Sequence, residues 1–414
     1  MLTIMARSHG LLLSLRLRRI GAISGLLLIL LGGVTPAQTF RGSILGAVSD
    51  SSGGVVPEAK VTAKNTSTGI ERSTVTDSLG NYALPELPIG TYEVTAEKSG
   101  FQTTRVTDVK IEVASERRVD LTLAAAGGKE AVEIRANATQ VETTNTTLGG
   151  TVASRDVVDL PINGRDYTKF LVMVAGANGD PSGATDSPGS FGLFSINGNR
   201  GRANNFLLDG TDMNDGYRNL PAINEAGVFG TPATILPVEA IEEVATLSNF
   251  EAEFGRNSGA VVNIVTKSGT NNIHGSAFEF FRNDVLDARN LFNQDSDPQT
   301  AFRNNQFGFS VGGPFVRDKA FWFTSYEGQR ERVGLNSTAR VPDPREIAAL
   351  GGATNPVIRQ LLARNPWPAP NRSVPLFDPS PNLFVTTPAS NDVDSVIGKV
   401  DWSFKDKAQI TGRY

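Results

Sequence analysis

The sequence predicts a mainly β protein: an N-terminal β-sandwich, then an α+β unit, then antiparallel strands of the kind that form a transmembrane β-barrel. Three observations support this fold class. The 414 residues include 42 Gly and 22 Pro, which favour short elements and many turns. Apolar and polar side chains alternate with a period of two in many short runs. No apolar run approaches the ~20 residues of a membrane-spanning helix.

The first 37 residues have the pattern of a secretory signal peptide. They contain no acidic residue and four arginines, Arg7, Arg16, Arg18 and Arg19. The apolar run Ile20–Val34 follows, and small residues precede the cleavage that we expect after Ala37. An uncleaved anchor helix is the alternative, but it needs closer to ~20 apolar residues.

The mature chain is acidic and has no cysteine. Removing four of the 39 basic residues leaves 35 against 43 acidic residues, a net charge of −8. Phosphate binding needs a positive field, so nucleic acid is not an expected partner. The absence of Cys excludes a disulfide framework and a thiolate metal site.

Residues 38–125 are predicted to form the β-sandwich. Alternating runs such as "KVTAKN", "IERSTVTD" and "RRVDLTL" are separated by turn clusters at the spacing of a sandwich. In "TYEVTAEK", Tyr92, Val94 and Ala96 fall on one face, which is the pattern of a half-buried strand. Gly80 and Gly90 stand where tight turns need a positive φ.

The stretch "DSLGNYALPELPIGTYEVTAEKSGF" resembles the carboxypeptidase regulatory-like domain, a transthyretin-like sandwich of seven strands. The matching positions are Asp77, Gly80, Tyr82, Leu87, Gly90, Tyr92, Gly100 and Phe101. The resemblance implies no peptidase chemistry, because no zinc-ligand pair is present and His274 is the only histidine of the mature chain. It implies either carbohydrate binding, as in related sandwiches, or a spacer without a ligand.

Residues 126–147 are a linker by composition, rich in Ala, Gly, Thr and Asn. Within it, "EAVEIRA" alternates apolar and charged residues. Such a strand can add to the edge of another protein's sheet, where main-chain hydrogen bonds supply the affinity. A final strand of the sandwich, or a short stiff linker, is the alternative.

Residues 148–270 are predicted to form the α+β unit. Its first part combines two short helices with a stop at Pro161 and a turn at Asn163–Gly164. Its last part ends in the β-branched strand "AVVNIVTKSG". Between and around these, the predicted elements are a helix over Asp166–Val174, strands at Leu193–Ile196 and Asn205–Leu208, a helix over Pro237–Glu243 and a strand at Val244–Leu247.

Residues 271–414 carry the barrel-like alternation. In "QFGFSVGG", Phe307, Phe309 and Val311 share one face, and polar or small residues share the other. In "SVIGKVDWSF", one side has Val396, Gly398, Val400, Trp402 and Phe404, and the other has Ile397, Lys399, Asp401 and Ser403. A second soluble sandwich would alternate in the same way, so the pattern alone leaves both folds open.

Four blocks together resemble TonB-dependent outer-membrane receptors of the Oar-like type. They are "LPINGRDYTKFLVMVAGA", "NGNRGRANNFLLDGTDMN", "IEEVATLSNFEAEFGRNSGAVVNIVTKSGTN" and "HGSAFEFFRNDVLDARNLF". The resemblance implies the order sandwich, plug and β-barrel, and favours the barrel over a soluble sandwich. It implies energy-coupled uptake of a large solute, such as a carbohydrate, siderophore or peptide. The implied partners are a periplasmic TonB-type energy-transducing protein, outer-membrane lipid and the barrel assembly machinery.

The resemblance also implies site residues. "EAVEIRA" becomes the candidate TonB box, with contacts from Glu130, Ala131, Val132, Glu133, Ile134 and Arg135. The candidate ligand contacts in the plug are Arg200, Arg202, Asp209 and Asp212. The acidic group around Asp209–Asp215 lacks the spacing and bidentate Glu of an EF-hand, so we expect turn-forming polar groups and no metal or cofactor.

Two expectations qualify this prediction. Only about five candidate barrel strands are present, far fewer than enclose a plug, so the chain is interpreted as an N-terminal fragment or a truncated gene model. The alternative function is an outer-membrane surface, adhesion or export-assisting protein with a carbohydrate-binding sandwich. No His-Glu-x-x-His, G-x-S-x-G or phosphate-loop motif is present, so no enzymatic activity is expected.

Overall fold

The structure is a computed structural model. It describes residues 41–125, 132–135, 148–160, 165, 167–179, 195–200, 203–214, 236–250, 254, 258–288, 301–404 and 409–414. The predicted signal peptide lies outside these residues. We distinguish three parts: the sandwich (residues 41–125 with 132–135), the central unit (residues 148–267) and the long-strand sheet (residues 274–414).

The sandwich consists of two sheets. One contains β1 (Gly42–Asp50), β4 (Asn81–Leu87), β7 (Glu116–Arg118) and β8 (Leu121–Leu123), in the order β4-β1-β7 with β8 also paired to β1. The other contains β2 (Lys60–Asn65), β3 (Glu71–Val75), β5 (Gly90–Glu97), β6 (Thr104–Ile111) and β9 (Val132–Arg135), in the order β3-β2-β5-β6-β9. Apolar side chains from both sheets meet in one core.

The predicted strand face and turns of the sandwich are confirmed. Tyr92, Val94 and Ala96 are buried, and Gly80 and Gly90 have φ values of +78° and +140°. The hydroxyl of Tyr82 donates a 2.6 Å hydrogen bond to the Val119 carbonyl, which satisfies a polar group within the core. Burial raises the pKa of Tyr82 and raises that of Tyr92 to about 12.

The central unit is built on a mixed sheet of order β10-β15-β16-β13-β14. The strands of this sheet are β10 (Leu148–Ala153), β13 (Asn205–Leu208), β14 (Thr211–Asp212), β15 (Ile241–Asn249) and β16 (Val261–Thr266), and a separate pair is formed by β11 (Ala177–Asn178) and β12 (Ser195–Ile196). Helix α1 (Ser154–Asp159) and a 3₁₀ helix (Tyr167–Met173) cover one face, where Val157, Phe170 and Leu171 enter the core.

One predicted element is wrong. Instead of a helix over Pro237–Glu243, a single 3₁₀ turn at Val238–Ala240 leads directly into β15. Extended backbone is favoured because β15 is paired on both sides, with Glu243–Leu247 facing both β10 and β16. The tertiary ladder thus overrides the helix signal of "PVEAIEE".

The long-strand sheet is antiparallel throughout, and its strands follow one another in chain order. They are β17 (His274–Asn283), β18 (Phe302–Val316), β19 (Ala320–Ala339), β20 (Leu383–Ser403) and β21 (Gln409–Arg413). The loop between β19 and β20 contains α2 (Pro344–Ala349) and α3 (Pro356–Arg364). Among the described residues, no helix has the length and apolarity needed to cross a membrane.

In a soluble sheet the buried face is apolar and the exposed face is polar. The long-strand sheet has the reverse arrangement. Polar side chains are buried, as at Gln306, Ser325 and Lys399. Apolar side chains on the other face are exposed: Phe309, Phe315, Val396, Val400 and Trp402. This arrangement, apolar outside and polar inside, is what a transmembrane barrel wall requires.

Candidate functional site

The candidate site is the interface at which the central unit meets the polar face of the long-strand sheet. Phe323 of β19 and Ile397 of β20 reach into the core of the central unit, each at most 5% exposed. Two clusters of buried charged residues lie around this apolar contact. Each cluster is centred on one carboxylate of the central unit.

The Asp209 cluster consists of Asp209, Thr266, Lys399 and Arg413. Thr266 donates to the Asp209 carboxylate twice, from its backbone N–H at 2.8 Å and from its hydroxyl at 2.7 Å. Lys399 Nζ lies 3.8 Å from Asp209 Oδ1, and Arg413 binds Asp209 Oδ2. Because the two cations come from β20 and β21, this carboxylate ties the central sheet to the long-strand sheet.

Local sequence places Asp209 at this position. Asp209 and Gly210 form the two-residue turn between β13 and β14, with φ values of +47° and +75°. Positive φ at both turn residues is the geometry that an Asp-Gly pair favours in a tight hairpin. The turn holds the carboxylate beside the end of β16, where its side chain is only 6% exposed.

The Glu239 cluster consists of Arg165, Glu239, Lys267, Ser276 and Glu327. The Ser276 hydroxyl donates to Glu239 Oε2 at 2.9 Å. Arg165 lies between two carboxylates, with Nη2 3.5 Å from Glu239 and Nε 3.6 Å from Glu327. Lys267 Nζ lies 4.0 Å from Glu239. Here the central unit supplies both cations and Glu239, and the long-strand sheet supplies Ser276 and Glu327.

Aromatic rings complete the surroundings of Arg165. Its guanidinium carbon lies 4.4 Å from the ring centroid of Phe278 and 4.5 Å from that of Phe280, both on β17. A planar guanidinium can stack on aromatic faces while it pairs with carboxylates, which a lysine cannot do. Arg165 is therefore held by charge and by ring contact at once.

These clusters are suited to fixing two bodies together rather than to catalysis. A buried ion pair adds little net stability, but removing one partner leaves an unpaired buried charge and is costly. Such clusters therefore specify one arrangement of the central unit against the sheet. The described residues contain no group of His, Cys, Asp and Glu that would hold a metal ion.

The predicted ligand contacts occupy different environments. Arg200 is exposed, and Arg202 lies outside the described residues. Asp212 is exposed and its Oδ1 accepts the Asn214 backbone N–H at 2.8 Å, as expected for a turn-forming group. Asp209 is instead buried against the long-strand sheet. Ligand contact by any of the four stays a prediction.

The candidate TonB box is partly described. Glu130 and Ala131 lie outside the described residues, and Val132, Glu133, Ile134 and Arg135 form β9. This strand pairs in parallel with Thr104–Thr107 of β6, at the edge of the sandwich. The pairing agrees with the alternative of a final sandwich strand and leaves a role in TonB binding as a prediction.

Of the members of the two clusters, sequence reasoning named only Asp209 as a site residue, and it missed the other eight: Arg165, Glu239, Thr266, Lys267, Ser276, Glu327, Lys399 and Arg413. A signal was present only for Lys399, a charged residue placed on the predicted inner face of its strand. Glu239 was hidden within the predicted helix. The pairing of Arg413 with Asp209, 204 positions earlier in the chain, is not a pattern that local periodicity can reveal.

The exposed face of the long-strand sheet carries an apolar band with sharp limits. At one end, aromatic rings cluster in pairs, Phe315 with Trp322 and Trp402 with Phe404. At the other, ion pairs join Arg330 to Asp394 at 2.7 Å and Arg332 to Asp392 at 2.5 Å. From Val396 to Phe404 the band spans about 26 Å along the strand, or about 20 Å at a usual tilt of ~40°.

Two domain families match the chain. The outer membrane beta barrel domain matches residues 265–414, and the carboxypeptidase regulatory-like domain matches residues 43–124. The first covers the long-strand sheet and the end of β16, and the second covers the sandwich except β9.

Two curated relatives match longer stretches of the chain than either domain family does. The chain is 28% identical over 314 residues to the TonB-dependent transporter Oar of Myxococcus xanthus, covering 72% of this chain and 27% of that protein. It is 29% identical over 185 residues to the probable TonB-dependent siderophore receptor PirA of Acinetobacter baumannii, covering 44% and 22%. The crystal structure of the siderophore receptor PirA from Acinetobacter baumannii superposes with a TM-score of 0.37 at 21% identity, covering 65% of this chain and 31% of that one. The chain thus spans about a quarter of the length of these curated relatives.

Proposed function

We propose that this chain, a homologue of TonB-dependent transporters, takes part in energy-coupled uptake of a large solute across the bacterial outer membrane. In this proposal the long-strand sheet is barrel wall in contact with outer-membrane lipid. The central unit is the plug, and a periplasmic TonB-type protein supplies the energy. The barrel assembly machinery would insert the sheet into the membrane.

The observation that carries the proposal is the interface itself. A folded α+β unit sits against the polar face of a sheet whose other face is apolar and exposed. A soluble two-layer protein would bury the apolar face and expose the polar one. The inverted arrangement is stable only if lipid covers the exposed face, so that the central unit occupies the lumen side.

The solute is proposed only by class. PirA is described as a siderophore receptor, which favours a ferric siderophore as the first solute to test. Carbohydrates and peptides of similar size are the other candidates. The sandwich offers little for the alternative of glycan adhesion: its described aromatic residues are Tyr82, Tyr92 and Phe101, and both tyrosines are buried. Stacking on sugar rings needs exposed aromatic faces.

The test of coupling is deletion of Glu130–Arg135 in the protein as it occurs in the outer membrane. We expect the deletion to abolish uptake of a radiolabelled ferric siderophore or oligosaccharide while surface binding of the same solute is retained. Coupling acts after binding, so the two readouts should separate.

A deletion of five residues elsewhere in the linker serves as the control. Removal of Thr143–Thr147 shortens the same segment without touching the candidate box, and uptake should persist. Unchanged uptake after loss of Glu130–Arg135 would refute the assignment of the box. Retained binding with no uptake even in the parent protein would favour the surface or export-assisting alternative.

A further inference from the structure

The sandwich contacts the central unit through a small patch. Val113 and Ala114, just after β6, pack with Ala245 of β15 and Val265 of β16. Ala114 also borders the neighbouring cluster of Leu207, Leu247, Phe254 and Val261. These residues lie on the face of the central sheet opposite to the helix-covered core, so the sandwich is what covers that face.

Two polar groups are buried in this patch at a cost. Asn263 lies between Val261 and Val265 on the same face of β16, is fully buried, and neither its amide nitrogen nor its amide oxygen has a hydrogen-bond partner among the described residues. Glu243 is 5% exposed, and its Oε1 accepts a 2.9 Å hydrogen bond from the Val113 backbone N–H. Leaving a buried amide without hydrogen-bond partners is destabilising, so such groups in a native structure need an explanation.

Ile89 of the sandwich also packs against this patch, and further contacts of the sandwich among the described residues are polar. Arg41 donates to Gln409 at 3.1 Å, and the Asn271 N–H donates to the Ser67 carbonyl at 3.0 Å. Polar contacts of this kind exchange readily for water. A small apolar patch with buried polar defects resembles interfaces that open and close, rather than the core of a single rigid domain.

We propose that the sandwich is a detachable cover of the central sheet, which separates from the face formed by Glu243, Ala245, Asn263 and Val265 and docks on it again. In the open form, water satisfies Asn263 and hydrates Glu243. In the closed form, the apolar contacts of Val113 and Ala114 offset the loss of that hydration. The proposal does not depend on energy coupling or on the identity of any solute.

Docking should depend on pH through Glu243. Burial raises its pKa from about 4.5 to about 7, against the lowering effect of the Val113 N–H. The other charged groups that act on it are Glu112, Lys110 and Glu242. The docked form binds the proton more tightly, so docking is strongest below pH 4.5, weakens as the pH rises towards 7, and then levels off.

The chain has no cysteine, which permits a thiol-accessibility test on the full chain in detergent. We expect the thiol of Val265→Cys to react with a maleimide under native conditions. After correction for reagent reactivity with the exposed Ser73→Cys, its rate should rise about twentyfold from pH 5.5 to pH 7.5. Adding Glu243→Gln should remove the pH dependence and slow the reaction at pH 7.5.

Val262→Cys is the matched control, because it lies on the same strand but on the opposite, helix-covered face. It should stay protected at both pH values. Equal protection of Val265→Cys and Val262→Cys would overturn the proposal and show a permanent interface. Should a variant fail to fold, hydrogen exchange of the unaltered chain decides: faster exchange of the Val113 amide than of the Val94 amide supports release, and equal slow exchange opposes it.

Discussion

Asp209 and Asp212 lie three residues apart in one hairpin, yet their carboxylates face opposite environments. Asp212 is exposed and closes a turn with Asn214. Asp209 is buried and accepts hydrogen bonds from Thr266 while two cations of the long-strand sheet approach it. The sequence motif "LDGTD" therefore contains one residue that holds the two bodies together and one that lies at the exposed surface.

We expect Asp209→Asn to loosen the central unit from the long-strand sheet. The amide keeps the shape of the side chain but removes the carboxylate that pairs with Lys399 and Arg413. Because Arg413 is still 22% exposed, the loss of stability should be about 2–3 kcal/mol, near the low end for a broken buried pair. Thermal unfolding in detergent, followed by circular dichroism, measures it.

Asp212→Asn is the control at the same hairpin, and its effect on stability should stay within about 0.5 kcal/mol. The same pair of variants addresses ligand contact. A loss of solute affinity in Asp212→Asn, without loss of stability, would support the predicted contact at that position. Equal stability of both variants would contradict the structural role of Asp209.

At the scale of elements, the two faces of β20 carry side chains suited to two different environments. Ile397, Lys399 and Asp401 are buried, whereas Val396, Val400 and Trp402 are exposed. The buried set is largely charged and the exposed set is entirely apolar. Water on the exposed side would make this strand unfavourable, and lipid there makes it favourable.

Substitution of Val400 by arginine tests which solvent the exposed side meets. Val400 is near the middle of the apolar band, so in lipid the charge should cost about 3 kcal/mol. In water the same exposed position would tolerate arginine at little cost. Urea titration of the chain folded into phospholipid vesicles measures the difference.

Thr386→Arg supplies the comparison on the same strand and the same face. Thr386 is also exposed but lies 14 residues earlier, beyond the ion pairs that limit the band. Arginine there should cost less than about 0.5 kcal/mol. Similar small costs at both positions would mean that water, not lipid, covers the exposed face.

Local pattern predicts several strands well. The strands at Lys60–Asn65 and Asn205–Leu208 begin and end as predicted, and the faces of β20 follow from alternation alone. β15 was missed as a full strand because its first residues carry the helix signal of "PVEAIEE", and only its pairing with β10 and β16 makes them extended. The charge clusters were not predicted either, since Arg165 and Glu327 meet only when the sheet and the central unit dock.

At the scale of the whole molecule, residues 267–271 form a junction that touches all three parts. Lys267 lies beside Glu239 in the central unit, and its backbone N–H donates to the Ala240 carbonyl at 2.8 Å. Gly269 passes against the backbone of β18 and β19. Asn271 contacts Ser67 of the sandwich and exchanges hydrogen bonds with Asp318 of the β18–β19 turn, at 2.7 and 2.9 Å.

Within this junction, Gly269 has no space for a side chain. A Cβ there would overlap the backbone carbonyl oxygens of Gly313 and Trp322, and main chain within a paired sheet cannot move aside. We expect Gly269→Ala to cost about 3 kcal/mol, the upper range for overpacking, and to separate the central unit from the sheet. Gly398→Ala on β20 is the matched control, because a Cβ there meets no atom within 4 Å. Limited proteolysis in detergent should cleave the first variant within residues 258–274 and leave the second intact. Equal resistance of both would mean that the close approach at Gly269 does not determine how the three parts are joined.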